Sequence, residues 1–197
     1  MSEIERTTER PAPRIGTGAG LKKTVVMVGM MGAGKTAVGR ALAARLGVPF
    51  LDSDSEIEAA ANMSVQEIFT RDGEPFFRAK ESQVISRLLG EVQGVLSTGG
   101  GAFLAEANQR MISERGVSLW LNAPVEVLWN RVKHKTTRPL LRTDNPRATL
   151  EGLYAARVPQ YSRADLEVPS DGTASIDEMV DRVIGVLATR PDVLELK

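Results

Sequence analysis

The chain contains no cysteine. That absence removes disulfides, thiolate nucleophiles and thiolate metal sites together, and it fits a reducing compartment, so the expected location is cytoplasmic. His134 is the only histidine, which leaves too little imidazole for a multi-histidine zinc site or a serine-histidine hydrolase. Flanked by Lys133, Lys135 and Thr136, it reads as solvent-exposed and chemically silent. Net charge is lacking as well. The 25 basic and 25 acidic side chains cancel, so no broad positive field exists to hold a nucleic acid backbone or an anionic membrane surface. Nor is there an apolar run of about 18 residues, the length needed to cross a bilayer. The expected partner is therefore a small molecule, with no nucleic acid and no membrane, and the expected state is a monomer.

What is present is enough for one core. At 197 residues and 42% apolar content the chain supports a single domain. Residues 1–23 carry three glutamates and no apolar stretch of signal-peptide length, so they read as a flexible leader. The folded domain is expected over 24–190, with 191–197 as a tail. TVVMVG (24–29) is a β-branched run suited to a strand buried on both faces. The segment from Thr36 is helical, with Val38, Leu42 and Leu46 apolar, and Gly47 followed by Pro49 stops it.

VPFLD (48–52), VLST (95–98), VSLWL (117–121) and LEV (166–168) supply further strands. Helices are expected around Ile57, after the capping-box pattern Ser64 to Glu67, through PFFRAKESQVISRLLG, and over 106–115, 124–132 and 146–158. A last helix opens with Ser175 and Glu178 in capping-box register and sets Ile176, Met179, Val180, Val183, Ile184 and Leu187 on one stripe. Alternating strands and helices imply a parallel sheet with ligands beyond the carboxyl ends of its strands.

GMMGAGKT (29–36) lies between the first strand and the first helix, the context a phosphate-cradling loop needs. Its glycines let backbone amides converge on phosphate oxygens, and the helix adds its positive N-terminal end. Lys35 is placed to bridge the β- and γ-phosphates, and the Thr36 hydroxyl to bind Mg²⁺. FLDSD (50–54) sets Asp52 and Asp54 at a strand end. Two readings stay open there: carboxylates serving metal and acceptor, or an acidic helix cap.

Gly99-Gly100-Gly101 offers a backbone surface that a ligand can approach closely. Arg78, Arg138 and Arg157 offer planar forks for carboxylate or phosphate, and spacing alone does not show that they meet. The polar, basic stretch RVKHKTTRPLLRTDNP (131–146) has the length of a functional loop that closes over phosphates and excludes water.

Taken in order, GMMGAGKT, FLDSD, DGEPFFR, STGGG, RPLL and LYAARVPQY resemble the motif set of shikimate kinases, over about residues 24–168. The resemblance implies an α/β, three-layer, P-loop nucleoside-monophosphate-kinase-like fold with a five-stranded parallel sheet and a mobile lid, here about 132–146. It implies transfer of the γ-phosphate of ATP to the 3-hydroxyl of shikimate in chorismate and aromatic amino acid biosynthesis.

Carried onto matching positions, it implies that Asp54, Arg78, Gly100 and Arg157 bind shikimate, with both arginines on the carboxylate. Gly32, Ala33, Gly34, Lys35, Thr36 and Ala37 would surround the ATP phosphates, and Arg131 would lie near the nucleotide. Lys35 and Arg138 would stabilise the transferring charge, Asp54 would orient the nucleophile, and Thr36 and Asp52 would serve Mg²⁺. Two positions depart from the pattern: Thr36 where serine is common, and Arg163 where an acidic residue is expected. The rival readings are another small-metabolite kinase, such as a gluconate kinase, and a non-catalytic nucleotide switch.

Overall fold

The computed structural model describes residues 19–135 and 139–196. In chain order its elements are β1 (Ala19–Leu21), β2 (Thr24–Val28), α1 (Lys35–Leu46), β3 (Phe50–Asp52), α2 (Ser53–Ala61), α3 (Val65–Asp72), α4 (Glu74–Glu91) and β4 (Val95–Ser97). There follow α5 (Glu106–Arg115), β5 (Gly116–Asn122), α6 (Val125–Val132), α7 (Pro146–Tyr161), β6 (Leu166–Pro169), α8 (Ile176–Leu187) and β7 (Leu194–Leu196), with short 3-10 turns at Ala102–Leu104 and Pro139–Leu141. No described helix is long and apolar enough to cross a membrane.

Five strands form one parallel sheet in the order β3-β4-β2-β5-β6. The central strand, β2, is buried along its whole length because it has a neighbour on each edge and helices on both faces. That environment selects its unbroken run of Val25, Val26, Met27 and Val28. All five strands run the same way, so their carboxyl ends share one rim, and the loops carrying Gly29–Thr36, Asp54 and Gly99–Gly101 emerge there.

Away from the sheet, Ile57, Ile68 and Phe77 make a small second core that binds α2, α3 and α4 to one another. This helical unit carries both Asp54 and Arg78. The expected capping boxes form at Ser64 with Glu67 and at Ser175 with Glu178, and Gly47 ends α1 in the left-handed conformation.

Three expectations are revised. The ends of the fold lie further out than 24 and 190, because β1 pairs antiparallel with β7 and draws part of the supposed leader and tail into the folded body. Val193 and Leu194 are buried, and that apolar anchor accounts for the pairing. Helix α7 runs past Pro159 to Tyr161 instead of ending at 158, since Tyr161 is fully buried and holds the last turn in place. Ile176 leaves the buried stripe of α8: it is 50% exposed, at the first turn, facing the cleft described next. His134 is exposed, as read. Arg138, with Thr136 and Thr137 of the supposed lid, lies outside the described residues.

Candidate active site

The loop after β2 closes on itself through its own lysine. Lys35 is 9% exposed, and its Nζ donates to the carbonyls of Gly29 at 2.8 Å and Met30 at 2.9 Å. Gly32 and Gly34 adopt φ of +79° and +93°, a region that side chains with a Cβ rarely enter, so the turn requires glycine at both places. Gly34 is the cap of α1, and the free amides of the first helical turn point into the loop. Arg131 reaches across from α6 and donates from Nη1 to the Gly32 carbonyl at 2.9 Å.

This loop forms one wall of a cleft of about 570 Å³. Gly32 through Ala37 line it, together with Asp52, Asp54, Gly99, Gly100 and Arg131. Ser170 and Ile176 line the same cleft on the far side, from the segments after β6 and at the start of α8. A smaller cavity of about 360 Å³ lies behind α6 around Trp129, Val132 and Leu141 and shares only Lys135 with the cleft.

The two aspartates divide the readings left open by FLDSD. Asp52 is the helix cap: its Oδ1 accepts from the Ser55 amide at 3.0 Å. Asp54, in the first turn of α2, is spared that task. Its Oδ1 is buried without a hydrogen-bond partner, and both of its oxygens stand 3.1 Å from where a Cβ on Gly99 would be. Burial pushes the Asp54 carboxyl up to about 6, the neighbouring Asp52 charge adds to the rise, and the Lys35 ammonium opposes it.

Beyond Asp54 the glycine run forms a corner held by arginines. Arg78 donates from Nη1 to Glu81 at 2.9 Å and from Nε and Nη2 to Glu74 at 3.3 Å, while its guanidinium lies over the rings of Phe77 and Phe69. It presses on Gly101 so closely that a Cβ there would displace the guanidinium. Glu81 is 1% exposed with Oε2 unpartnered, and burial lifts its carboxyl to about 7 against the pull of Arg78. Arg157 is 7% exposed, and its Nη1 lies 3.0 Å from the Cβ position of Gly100. The Tyr161 hydroxyl donates to the Gly100 carbonyl.

The structure therefore gathers Lys35, Asp54, Gly100, Arg78 and Arg157 at one end of the sheet, with Thr36, Ala37, Asp52 and Arg131 in the same cleft. Glu81, Tyr161 and Ile176 were not anticipated as members. The first two had a signal available, since they stand three and four residues after Arg78 and Arg157 on the same helices. Thr36 and Asp52 offer a hydroxyl and a carboxylate, oxygen donors that suit a hard divalent cation held mainly by phosphate and water. Among the described residues no group of three or more acidic or histidine ligands could hold a metal by itself.

The sequence profile of the shikimate kinase family matches residues 31–188. A shikimate kinase from Ruegeria pomeroyi is 71% identical over 196 residues, covering 100% of both chains. One from Cereibacter sphaeroides is 68% identical over 177 residues, 90% of this chain and 88% of its own. Among solved structures, shikimate kinase from Acinetobacter baumannii in complex with shikimate superposes with a TM-score of 0.78 at 36% identity, over 82% of this chain and 90% of that one. On the strength of that profile and those relatives, the chain belongs to the shikimate kinase family.

Proposed function

We propose that the cleft transfers the γ-phosphate of ATP to the 3-hydroxyl of shikimate, giving shikimate 3-phosphate and ADP for chorismate and aromatic amino acid biosynthesis. The observation that carries this reading is the position of Asp54: a buried carboxylate oxygen without a partner, between the Lys35 loop and the arginine-lined glycine corner. A site that bound only nucleotide would have no use for that second half.

In this reading the ATP phosphates lie on the amides of Gly32 through Ala37. Lys35 exchanges its two carbonyl partners for phosphate oxygens, a stronger, charge-assisted bond. Arg131 holds the loop from the nucleotide side, and exposed Ile176 offers an apolar face for the base. Thr36 and Asp52 would hold Mg²⁺, which when bound would supply charge neutralisation on the transferring phosphate. Arg138, which lies outside the described residues, is assigned to the same charge neutralisation by the match of its motif alone. Phosphoryl transfer asks chiefly for in-line placement and charge neutralisation, and these groups provide both.

Shikimate places its carboxylate against Arg78 and Arg157 beside Gly100, and its ring hydroxyls at Asp54. With a carboxyl near 6, Asp54 is ionised at neutral pH and accepts the hydrogen bond that orients the nucleophilic hydroxyl. The protein acts as a cytoplasmic monomer, which light scattering of the purified protein tests. The decisive experiment is a coupled ADP-release assay offering shikimate, gluconate and nucleoside monophosphates in turn. Turnover with shikimate alone is expected, and turnover with another acceptor but not shikimate would overturn the assignment.

A further inference from the structure

Two arginines meet the glycine corner, and they are anchored by opposite means. Arg78 is held by two carboxylates, Glu74 and Glu81, which offset its charge. Arg157 forms no ion pair among the described residues; the neutral phenol of Tyr161, one helical turn further along α7, stands with it against Gly100. The two side chains stand four residues apart and so share a helix face, and both are buried.

The phenol oxygen is a junction. Its proton goes to the Gly100 carbonyl, and the positive charge of Arg157, which stands against the same glycine, acts on the phenol oxygen. Around the Cβ position of Gly100, Arg157 Nη1 lies at 3.0 Å, and the Tyr161 hydroxyl and the Met31 amide each at 3.7 Å. One hydroxyl thus fixes the Gly100 peptide in the corner where the arginine and the edge of the phosphate loop come together. Burial raises the phenol above its ordinary pKa more than Arg157 lowers it, so the group stays a neutral donor.

We propose that Tyr161 is a positioning residue for recognition of the acceptor's carboxylate: its hydroxyl locks Arg157 and the Gly100 peptide in register while leaving the arginine's charge unspent. This rests on the reading of Gly100 and Arg157 as the acceptor end. A carboxylate anchor, like the pair on Arg78, would fix Arg157 equally well but would compete with the incoming carboxylate. The ring of Tyr161 has a separate task, filling the core beside Trp120 with ring centres 6.1 Å apart. Phenylalanine keeps that task and removes only the junction.

The test is Tyr161→Phe, with Arg157→Lys as its companion, in steady-state assays with shikimate, with the carboxamide of shikimate, and with varied ATP. Losing the hydrogen bond that fixes the Gly100 peptide beside Arg157 is expected to raise the KM for shikimate about ten-fold and leave the KM for ATP within about two-fold. The preference for shikimate over its carboxamide should contract by a similar factor, which loss of packing alone does not cause. An unchanged preference, or equal losses for both substrates, overturns the proposal.

If Arg157→Lys weakens shikimate selectively while Tyr161→Phe does not, the Tyr161 role falls and the acceptor site stands. If Arg157→Lys leaves shikimate binding intact, the acceptor reading falls first. Should the phenylalanine variant not fold, 3-fluorotyrosine at 161 keeps ring and hydroxyl but ionises more readily. The KM for shikimate, and not that for ATP, is then expected to rise at alkaline pH as the phenolate pairs with Arg157. A pH-independent KM overturns the proposal.

Discussion

The lysine of the phosphate loop is held by neutral groups that a phosphate can replace. Lys35 rests on two neutral carbonyls, which release it to phosphate at little electrostatic cost. Lys35→Met is expected to lower kcat by about a thousand-fold with the fold intact, read by ADP release beside circular dichroism. Arg78→Ala is expected to raise the KM for shikimate by about thirty-fold or more, through a lost charge contact to the acceptor, with little change in the KM for ATP. Equal losses for both ligands would count against its place at the acceptor end.

Glu81 gives a pH signature. Its carboxyl titrates at about 7 when folded against 4.5 ordinarily, because burial disfavours its charge. Between those values the folded protein keeps a proton that the unfolded chain has released. This contribution to stability is thus complete below pH 4.5 and is lost as pH rises towards 7. Urea unfolding across that window should show the wild type losing on the order of 2 kcal/mol relative to Glu81→Gln as pH rises. Parallel curves would mean that Glu81 is ionised throughout.

Among the elements, α2 and α4 carry Asp54 and Arg78, the groups proposed for the acceptor, and they do so as one unit because Ile57, Ile68 and Phe77 pack together apart from the main core. The β1–β7 pair leads into the start of β2, and none of its residues lines the cleft. Deleting residues 191–197 removes β7 with buried Val193 and Leu194. The expected loss is about 3–6 kcal/mol, seen as a lower Tm, with kcat at low temperature unchanged. A fall in kcat without a fall in Tm would show that the terminal pair communicates with the site.

For the whole molecule, the site lies between the parallel sheet and a helical unit with its own small core, so a bound ligand ties the two together. Shikimate at about one hundred times its Kd is expected to raise Tm by roughly 5–10 °C in a thermal shift experiment. Gluconate at the same concentration should leave Tm unchanged.

The phosphate loop, the order of strands and helices, and both capping boxes could be read from the chain, because each depends on residues within a turn or two of one another. Gly29 to Thr36 between a β-branched run and an alanine-rich helix has no other comfortable conformation. The division of labour between Asp52 and Asp54 could not be read. It depends on which carboxylate is taken by the Ser55 amide and which is buried against Gly99, 45 residues away in sequence. The same holds for Tyr161 on Gly100, for Ile176 turning to the cleft, and for β1 meeting β7. Local pattern determined what each segment would become; which side chains would meet, lose water and change their charge was decided only when distant segments packed, because burial and electrostatic coupling are properties of the assembled interior.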